Sequence, residues 1–355
     1  MNIVNKLNRF NWLKFLAKLN NYFREACLDA VPQQIDTIDR QASAIYSIIL
    51  PDRLAIILSV PGQPLSYHYS DLGDNSIGQI QQIVDNLYVD VEYSIYQPFD
   101  PKPYQQLHDL LIKPIEAKLK QEDIKTLVFV LDGILQKVPV AALFDGEKYL
   151  IEEYNVVLTP GLQLLKSENL ATNRLSGVFG GISEAISDFS ALPAVRQEAA
   201  QIAASVPTEV LLDRQFTSDA LRNKIGSTPS EIVHLATHGQ FSSDAEETFL
   251  LAWDRKINVK ELDELLGARN RQREKPIELL ILSACETAKG DDRAALGIAG
   301  VALRSGARST IATLWAVQDD STALIMEQLY SQLNQPGISR AEALRNAQLS
   351  LLKDS

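Results

Sequence analysis

The sequence predicts an α/β fold, with a doubly wound, mostly parallel sheet that carries helices on both faces and follows a smaller α/β subdomain. Over residues 176–333, short and wholly apolar segments alternate with helical patterns, which is typical of a parallel sheet covered on both faces. Residues 36–166 show a similar alternation, and a polar, irregular stretch at 167–177 separates the two parts. We therefore expect an amphipathic helical extension at 1–35, an N-terminal subdomain at 36–166 and a larger domain at 170–355.

The N-terminal subdomain begins with strands. In "ASAIYSIILPDRLAIILSV" two apolar runs flank a Pro51-Asp52-Arg53 turn, and "PLSYHYSD" predicts a third strand. Apolar spacing then predicts the remaining elements of this part: helices over 75–97 and 103–122, and strands over 125–133 and 148–160.

The larger domain has clearer strands. The predicted order is strand 176–183, helix 192–206, strand 208–213, helix 218–226, strand 231–238, helix 259–267, strand 277–284, helix 295–306, strand 309–315 and helix 321–333. In a doubly wound sheet, functional residues gather beyond the carboxyl ends of neighbouring strands. Catalytic residues are therefore expected at such strand ends.

Charge and cysteine content exclude several classes of protein. The 355 residues carry 34 Lys and Arg against 45 Asp and Glu, a net charge of −11. This balance argues against nucleic acid as the main partner, because phosphate binding needs a basic face. Cys27 and Cys285 are the only cysteines, so no disulfide framework holds the fold and a reducing cytoplasm is the expected location.

The first residues predict a basic amphipathic helix. Within "NKLNRFNWLKFLAKLNNYFREA" (5–26) apolar residues recur at helical spacing, and Lys14 and Lys18 interrupt any continuous apolar run. The segment is therefore expected to be neither a secretory signal core nor a membrane-spanning helix. Two interpretations stand: it packs on its own protein, as most amphipathic helices do, or it lies on a membrane or docks on a partner.

Two of the four histidines stand close together in "IVHLATHGQF" (232–241). A zinc site would need His234 and His238 one helical turn apart. The surrounding residues predict a strand instead, in which residues four apart lie about 13 Å from one another, so no metal site is expected. His234, inside the strand, is expected to be a structural histidine of the core. His238 is predicted where the strand ends and the chain turns at Gly239, the place where an α/β fold carries its chemistry.

A second strand end supplies a thiol. The segment "LLILSACETAKG" (279–290) is a predicted buried strand that reaches Cys285 just before a polar loop. Taken alone, a cysteine is more often a small buried hydrophobe than a nucleophile. If the two strands are neighbours, however, the His238 imidazole can take the thiol proton and the thiolate can attack a carbonyl. The backbone amides of Gly239 and Cys285 are then the expected donors to the tetrahedral oxyanion.

A third strand end offers a pocket. The segment "STIATLWAVQDD" places Trp315, Asp319 and Asp320 beyond a strand. An aromatic wall with a carboxylate suits a substrate Arg or Lys, through stacking and a charge-assisted hydrogen bond. The alternative is that the two aspartates cap the helix that starts at Ser321. We favour a role in the pocket for Asp319, whereas for Asp320 the pocket and the helix cap are equally supported.

Three motifs together resemble a known family. The segments are "HLATHGQF", "LPAVRQEAAQIA" and the long run that begins "LSACETAKGDDRAALGIAG" and continues through "TLWAVQDDSTALIMEQLYSQL". They are similar to the CHAT family, caspase-like peptidases that are commonly joined to tetratricopeptide repeats, chiefly in bacteria. The likeness covers residues 40–353.

The resemblance implies a caspase-like fold and a dyad of Cys285 as nucleophile and His238 as base. It also implies an inactive, pseudo-caspase-like subdomain within the N-terminal part. The segment "TLWAVQDD" resembles one in separases whose aspartate receives a basic side chain, which assigns that role to Asp319. Two departures follow. Ser283 stands where several relatives carry an acidic pocket residue, and no tetratricopeptide repeat is found in these residues, so a sensing partner is expected to be either missing or separate.

The sequence thus predicts a cytoplasmic cysteine endopeptidase that cleaves after Arg or Lys through an acyl-enzyme, without a metal or organic cofactor. We expect protein or peptide substrates, a regulated signalling or defence setting, and control by a partner, by proteolysis or by a fused sensor. Two basic loops, at 267–275 and 286–293, are candidate self-cleavage sites or plain surface loops. The rival hypotheses are a non-catalytic caspase-fold scaffold that acts through protein contacts, and an acyl hydrolase or transferase with the same dyad.

Overall fold

The computed structural model describes residues 41–93, 98–159, 175–228, 230–240, 246–272, 277–285, 306–313 and 319–354. Within them the chain forms two sheets, one in each half, and each sheet packs against its own helices. The predicted α/β class is confirmed. Strands and helices are numbered in chain order within these residues. The predicted extension at 1–35, the predicted helix at 295–306 apart from Gly306, and the basic loop at 286–293 lie outside them.

The first sheet is mixed and five-stranded, in the order β3-β2-β1-β4-β5. The first three strands form an antiparallel meander, whereas β4 and β5 run parallel to β1. The elements are β1 (Ala42–Ile49), β2 (Arg53–Ser59), β3 (Ser66–Asp71), α1 (Ser76–Tyr93), α2 (Lys102–Leu111), α3 (Glu116–Gln121), β4 (Thr126–Val130), α4 (Leu150–Glu153) and β5 (Asn155–Leu158). Helices α1 to α3 share one apolar core with the sheet.

Two predicted elements of this half are wrong in part. The helix expected over 103–122 is two helices, α2 and α3. Pro114 lies between them, and a proline lacks the backbone N–H and obstructs the preceding turn. The strand expected over 148–160 begins as the short helix α4, where the Glu152 carboxylate accepts a hydrogen bond from the Tyr149 N–H at 2.7 Å. Strand follows only from Asn155.

The second sheet is the doubly wound one. Its strands are β6 (Gly177–Gly181), β7 (Thr208–Leu212), β8 (Ile232–Gln240), β9 (Phe249–Leu251), β10 (Lys256–Asn258), β11 (Leu279–Cys285) and β12 (Ser309–Ala312). Five of them run parallel in the order β7-β6-β8-β11-β12. β9 and β10 form an antiparallel hairpin that continues the sheet from the far end of β8.

Helices cover both faces of this sheet, as predicted. On one face lie α6 (Ser218–Ser227) and α7 (Val259–Gln272), and on the other lie α5 (Ala194–Ser205), α8 (Asp319–Leu333) and α9 (Arg340–Asp354). The sequence prediction had no counterpart for α9, β9 and β10. The basic stretch at 267–275 was expected to be a loop, which is wrong as far as Gln272, because α7 continues to that residue.

Helix α9 also connects the two halves, since it packs against β5 and α4. Arg345 donates hydrogen bonds from Nε to the Ile151 carbonyl at 2.6 Å and from Nη2 to the Glu152 carbonyl at 2.5 Å. These carbonyls end a short helix, where unpaired oxygens favour a cation.

Helices that combine the length and the apolarity needed to cross a bilayer do not occur in the described part of the chain.

Candidate active site

Strands β8 and β11 are neighbours, which is the condition that the dyad hypothesis required. They pair in parallel from Leu279 opposite Ile232 to Cys285 opposite His238. Since neighbouring strands lie about 4.8 Å apart, the backbones of Cys285 and His238 lie side by side at the carboxyl edge of the sheet. Both positions belong to the alternate series of strand residues that includes Ile232 and Leu279, which lie in the core beneath α5, α8 and α9.

The His238 ring is held in one orientation by its neighbours. Its side chain is buried, and Nε2 lies 2.8 Å from the carbonyl oxygen of Ser190. A carbonyl only accepts hydrogen bonds, so Nε2 carries the proton in the neutral ring and Nδ1 is the unprotonated nitrogen. The Phe189 ring packs on the imidazole, with centroids 5.1 Å apart and planes inclined by 37°. The arrangement leaves Nδ1 as the basic atom of the ring.

The loop that carries Ser190 is anchored by Asp213, which directly follows β7. The Asp213 carboxylate accepts hydrogen bonds from the Ser183 N–H at 2.7 Å, the Ser183 hydroxyl at 2.9 Å and the Glu184 N–H at 3.1 Å. It also pairs with Arg196. Burial raises the pKa of Asp213, but the hydrogen bonds from Ser183 and Glu184 and the Arg196 charge outweigh it and hold the pKa below its usual value.

Sequence reasoning missed Phe189, Ser190 and Asp213. The available signal was their place in the fold, because Phe189 and Ser190 follow β6 and Asp213 follows β7, at the same carboxyl edge as His238 and Cys285. The strand-end rule, applied to every strand rather than only to those with a histidine, cysteine or tryptophan, finds them.

Gly239 does not turn the chain, so that part of the prediction is wrong. β8 continues to Gln240, because β9 pairs with its last residues and sets Leu250 opposite Gly239. A residue in a strand keeps its amide in the plane of the sheet rather than in a turn. The Thr237 hydroxyl secures the same pairing by donating a hydrogen bond to the Leu251 carbonyl at 2.7 Å.

The prediction that His234 is structural is confirmed. Its side chain is 1% exposed, its Nδ1 lies 3.2 Å from the Tyr330 hydroxyl, and the two rings stack with an interplanar angle of 7°. Nε2 lies 3.1 Å from the buried Glu198 carboxylate, although out of hydrogen-bond alignment. Burial, and then the Glu198 charge, raise the pKa of Tyr330 far above its usual value. This polar cluster lies in the core, on the same face of β8 as His238 and four residues before it.

Three of the four substrate-pocket candidates lie within the described residues. Ser283 lies on β11 opposite Ala236 and is half-buried. Asp319 and Asp320 were expected in a loop before a helix at Ser321, which is wrong, since they are the first two residues of α8. β12 neighbours β11, so the chain between β12 and α8 starts beside the end of β11. Trp315 lies outside the described residues.

The described residues do not offer an arrangement of side chains that would hold a metal ion. No group of three or more His, Cys, Asp or Glu side chains among them is placed to hold an ion. His234 and His238 lie four apart in one strand, which separates them by about 13 Å.

The class of protein follows from this geometry. A doubly wound sheet with helices on both faces, preceded by a second α/β unit, and with a cysteine level with a histidine at its carboxyl edge is consistent with a caspase-like fold. The model of the CHAT domain family matches residues 101–355, and the chain belongs to that family. CHAT domains form a caspase-like protease family, which makes peptidase activity the activity that the family suggests. No curated protein matches the chain.

Proposed function

We propose that this chain is a cysteine endopeptidase in which Cys285 is the nucleophile and His238 the general base. One observation carries the proposal: the parallel register sets Cys285 opposite His238, whose Nε2–H is held by the Ser190 carbonyl so that Nδ1 is free to take a proton. A base must be oriented toward the nucleophile to activate it, and a fixed carbonyl acceptor is one way to fix a tautomer.

The proposed reaction has two halves. The thiol proton of Cys285 passes to Nδ1 of His238, and the sulfur forms a C–S bond to the scissile carbonyl. The tetrahedral intermediate then collapses, the C–N bond breaks, and the amine leaves with the proton from His238. Water next attacks the thioester while His238 takes a water proton, and the C–S bond breaks to release the acid and restore the thiol.

The oxyanion of each tetrahedral intermediate needs backbone donors. We propose the backbone amide of Gly239, the residue after His238, and the backbone amide of Cys285 itself. The two amides belong to the adjacent strands β8 and β11. Such donors act in a site from which protein side chains exclude water, and loss of one donor in other acyl-transfer enzymes costs about a hundred- to a thousandfold in rate.

For specificity we propose a basic side chain before the scissile bond. Asp319 is the favoured partner of that Arg or Lys, with Trp315, Asp320 and Ser283 as further candidates for the pocket wall. β12 neighbours β11, and the segment that follows β12 carries three of these four residues, so the acyl half of the substrate would lie on the β12 side of Cys285.

We further propose a setting: a bacterial cytoplasm, with protein or peptide substrates and an activating partner or sensor domain, in signalling or defence. The proposed site needs no metal and no organic cofactor, because each proton and bond above is handled by Cys285, His238, backbone amides and water.

Fluorogenic peptides that end in Arg, Lys or Asp test the proposal with purified wild type, Cys285→Ala and His238→Ala. We expect cleavage after Arg or Lys, a fall of at least about a thousandfold in Cys285→Ala, and a fall of about a hundred- to ten-thousandfold in His238→Ala. Cys27→Ala is the matched control, because it removes the other thiol of the chain and is expected to keep full activity.

The same assay separates the rival hypotheses. A well-folded wild type that cleaves none of the peptides, even with candidate partners added, supports the non-catalytic scaffold. An enzyme that cleaves thioesters or activated esters but none of the peptides supports an acyl hydrolase or transferase. Cleavage only after Asp keeps the dyad and overturns the assignment of Asp319.

A further inference from the structure

An aromatic and cationic wall borders His238 on the side away from Cys285. The Phe189 ring, which packs on the imidazole, also meets the Phe249 ring edge-on, with centroids 6.3 Å apart and planes inclined by 69°. Lys256 Nζ lies 4.0 Å from the centroid of Phe249 and 5.6 Å from that of Phe189. The two rings are half-buried and Lys256 is exposed, so the wall presents apolar faces with a cation at its outer end.

The hairpin that supplies this wall has a defined place in the sheet. β9 pairs with the end of β8, where Phe249 lies opposite Gln240, and β10 pairs with β9, where Lys256 lies opposite Leu251. Across the carboxyl edge the order of strands is therefore β12, β11, β8, β9 and β10. Cys285 and His238 occupy the middle of this series, with the candidate acyl-side pocket at one end and the wall at the other.

Direction along the substrate follows from proton transfer. In the proposed reaction the leaving amine takes its proton from His238, so the part of the substrate beyond the scissile bond must pass on the His238 side of Cys285. That side holds Phe189, Phe249 and Lys256. The imidazole centroid lies 5.1 Å from the Phe189 centroid, and Lys256 Nζ lies 5.6 Å from the same centroid. Lys256 Nζ is therefore within the reach of about three extended residues from the imidazole, at about 3.3 Å each.

We propose that Phe189, Phe249 and Lys256 form the subsite for the leaving half of the substrate, and that this subsite selects an acidic side chain at the second or third residue beyond the scissile bond. The inference rests on the proposed peptidase function and adds to it a specificity that the family does not supply. The rings would support the backbone and the aliphatic part of a Glu or Asp, while Lys256 would pair with its carboxylate.

The charge of Lys256 favours an anion at this position. Within the described residues, its Nζ contacts the two rings and pairs with no carboxylate. A ring face attracts a cation but does not neutralise it, so Lys256 retains attraction for a carboxylate. A basic side chain in the same place would meet a like charge, which disfavours it.

Internally quenched peptides test the inference. They share the residue that wild type accepts before the scissile bond and continue with Ala-Ala-Ala, Ala-Glu-Glu or Ala-Lys-Lys. We expect kcat/KM for the Glu peptide to exceed that for the Ala peptide about fivefold, as for one partly exposed ion pair. Lys256→Gln should abolish this ratio and Lys256→Glu should invert it in favour of the Lys peptide. The matched control Lys260→Glu, an exposed lysine outside the wall, should keep the wild-type ratio.

A binding measurement keeps this inference separate from the peptidase proposal. A fluorescent peptide that begins Ala-Glu-Glu is titrated with Cys285→Ala and with Cys285→Ala carrying Lys256→Glu, and anisotropy is recorded. Binding that depends on Lys256 without any cleavage by wild type supports the subsite and contradicts the peptidase. Cleavage with equal rates for the three peptides, or an acidic preference that survives in Lys256→Glu, overturns the subsite and leaves the peptidase standing. Neither cleavage nor binding overturns both.

Discussion

Removal of the Asp213 carboxylate should both destabilise the fold and impair the site. The carboxylate accepts hydrogen bonds from the N–H and hydroxyl of Ser183 and from the N–H of Glu184. A lost hydrogen bond to a charged acceptor costs about 1.5–3 kcal/mol when the donor stays buried. Ser183 is buried, whereas Glu184 is exposed and water can replace its acceptor. The ion pair with Arg196 adds little, because the Arg196 side chain is 59% exposed.

Backbone conformation adds a second contribution. Asp213 has φ of 50°, in the left-handed region that aspartate and asparagine tolerate better than alanine. A non-glycine residue without a short polar side chain in this region lowers the free energy of unfolding by about 1 kcal/mol or more. We therefore expect Asp213→Asn to lower the free energy of unfolding by about 2 kcal/mol and Asp213→Ala to lower it by about 4 kcal/mol.

The effect on catalysis goes through the loop that ends at Ser190. When the loop loses its anchor, the Ser190 carbonyl no longer holds the Nε2–H of His238 at 2.8 Å. A displacement of about 1 Å in a catalytic group can cost a hundredfold in rate. We expect kcat/KM to fall about ten- to a hundredfold in Asp213→Ala, per folded molecule.

Urea denaturation at pH 7 and peptide hydrolysis measure the two effects on the same preparations. Asp90→Asn is the matched control. Its buried carboxylate also accepts two hydrogen bonds, from the Tyr104 hydroxyl at 3.0 Å and the Asp100 N–H at 2.9 Å, but it lies in the first half. The control should lose stability and keep its turnover per folded molecule. An Asp213→Ala variant that unfolds at the wild-type urea concentration, or that keeps full turnover, refutes the reasoning.

The pH dependence has a definite sign. Because the pKa of Asp213 is lower in the folded than in the unfolded state, its contribution to stability is present above the unfolded pKa, about 3.9, and is lost as pH falls through the lower folded value. Asp213→Asn has no such group. The difference in unfolding free energy between wild type and Asp213→Asn should therefore narrow as pH falls from about 5 toward 3, and a constant difference would contradict the assignment.

Two further predictions concern the packing around Gly180 and the contact between the two halves. At Gly180 an added Cβ would meet a ring carbon of the buried Phe216 at 2.3 Å, so Gly180→Ala should lower the unfolding free energy by about 2 kcal/mol in thermal melts. Gly226 lies on helix α6 with open space around it, so Gly226→Ala should raise the unfolding free energy by about 0.5 kcal/mol in the same experiment. Equal melting temperatures for the pair would show that the Phe216 contact does not decide the outcome. Arg345→Ala should cost about 2 kcal/mol in urea titrations, because the last turn of α4 loses both of its side-chain donors, and Arg345→Lys should recover at most half of that loss. An unchanged urea midpoint in Arg345→Ala would show that the joint between the halves does not rest on this side chain.

The strands and helices of the larger domain were predictable where they are long and apolar. β8 and β11 are buried runs bounded by polar residues, and α5 and α8 show clear helical spacing. β9 and β10 were not predictable, because three residues are too few for a period-two pattern to stand out. The break at Pro114 was predictable from the proline itself, and the prediction of one continuous helix over 103–122 overlooked it.

For the site, the sequence allowed the prediction of residue types at strand ends but not of their partners. Cys285 and His238 were predicted as a dyad from their positions after apolar runs. The role of the Ser190 carbonyl was not predictable, because every residue has a carbonyl and only tertiary structure decides which one meets the imidazole. The position of Lys256 beside the site was not predictable for a related reason. Lys256 lies on β10, and the two strands of that hairpin are too short to have a sequence signature.

The register that makes Cys285 level with His238 is set at the opposite edge of the sheet. Both faces of β8 and β11 are buried, so a polar–apolar alternation cannot choose the register. The choice is made where the strands begin: the carbonyl of Glu231 accepts from the N–H groups of Glu278 and Leu279, at 2.9 and 3.1 Å.

Two glutamates secure this starting edge. The Glu231 carboxylate accepts hydrogen bonds from the N–H and hydroxyl of Ser176, which precedes β6. The half-buried Glu278 carboxylate pairs with Arg308, which directly precedes β12, and with Arg340, which is the first residue of α9. Each strand then takes the same number of residues to the far edge, since His238 follows Glu231 by seven positions and Cys285 follows Glu278 by seven. The proposed dyad is therefore aligned by backbone hydrogen bonds a full strand length away, supported there by the Glu231–Ser176 hydrogen bonds and the Glu278 ion pairs. Its geometry thus follows from the pairing of the whole sheet rather than from the residues around either member.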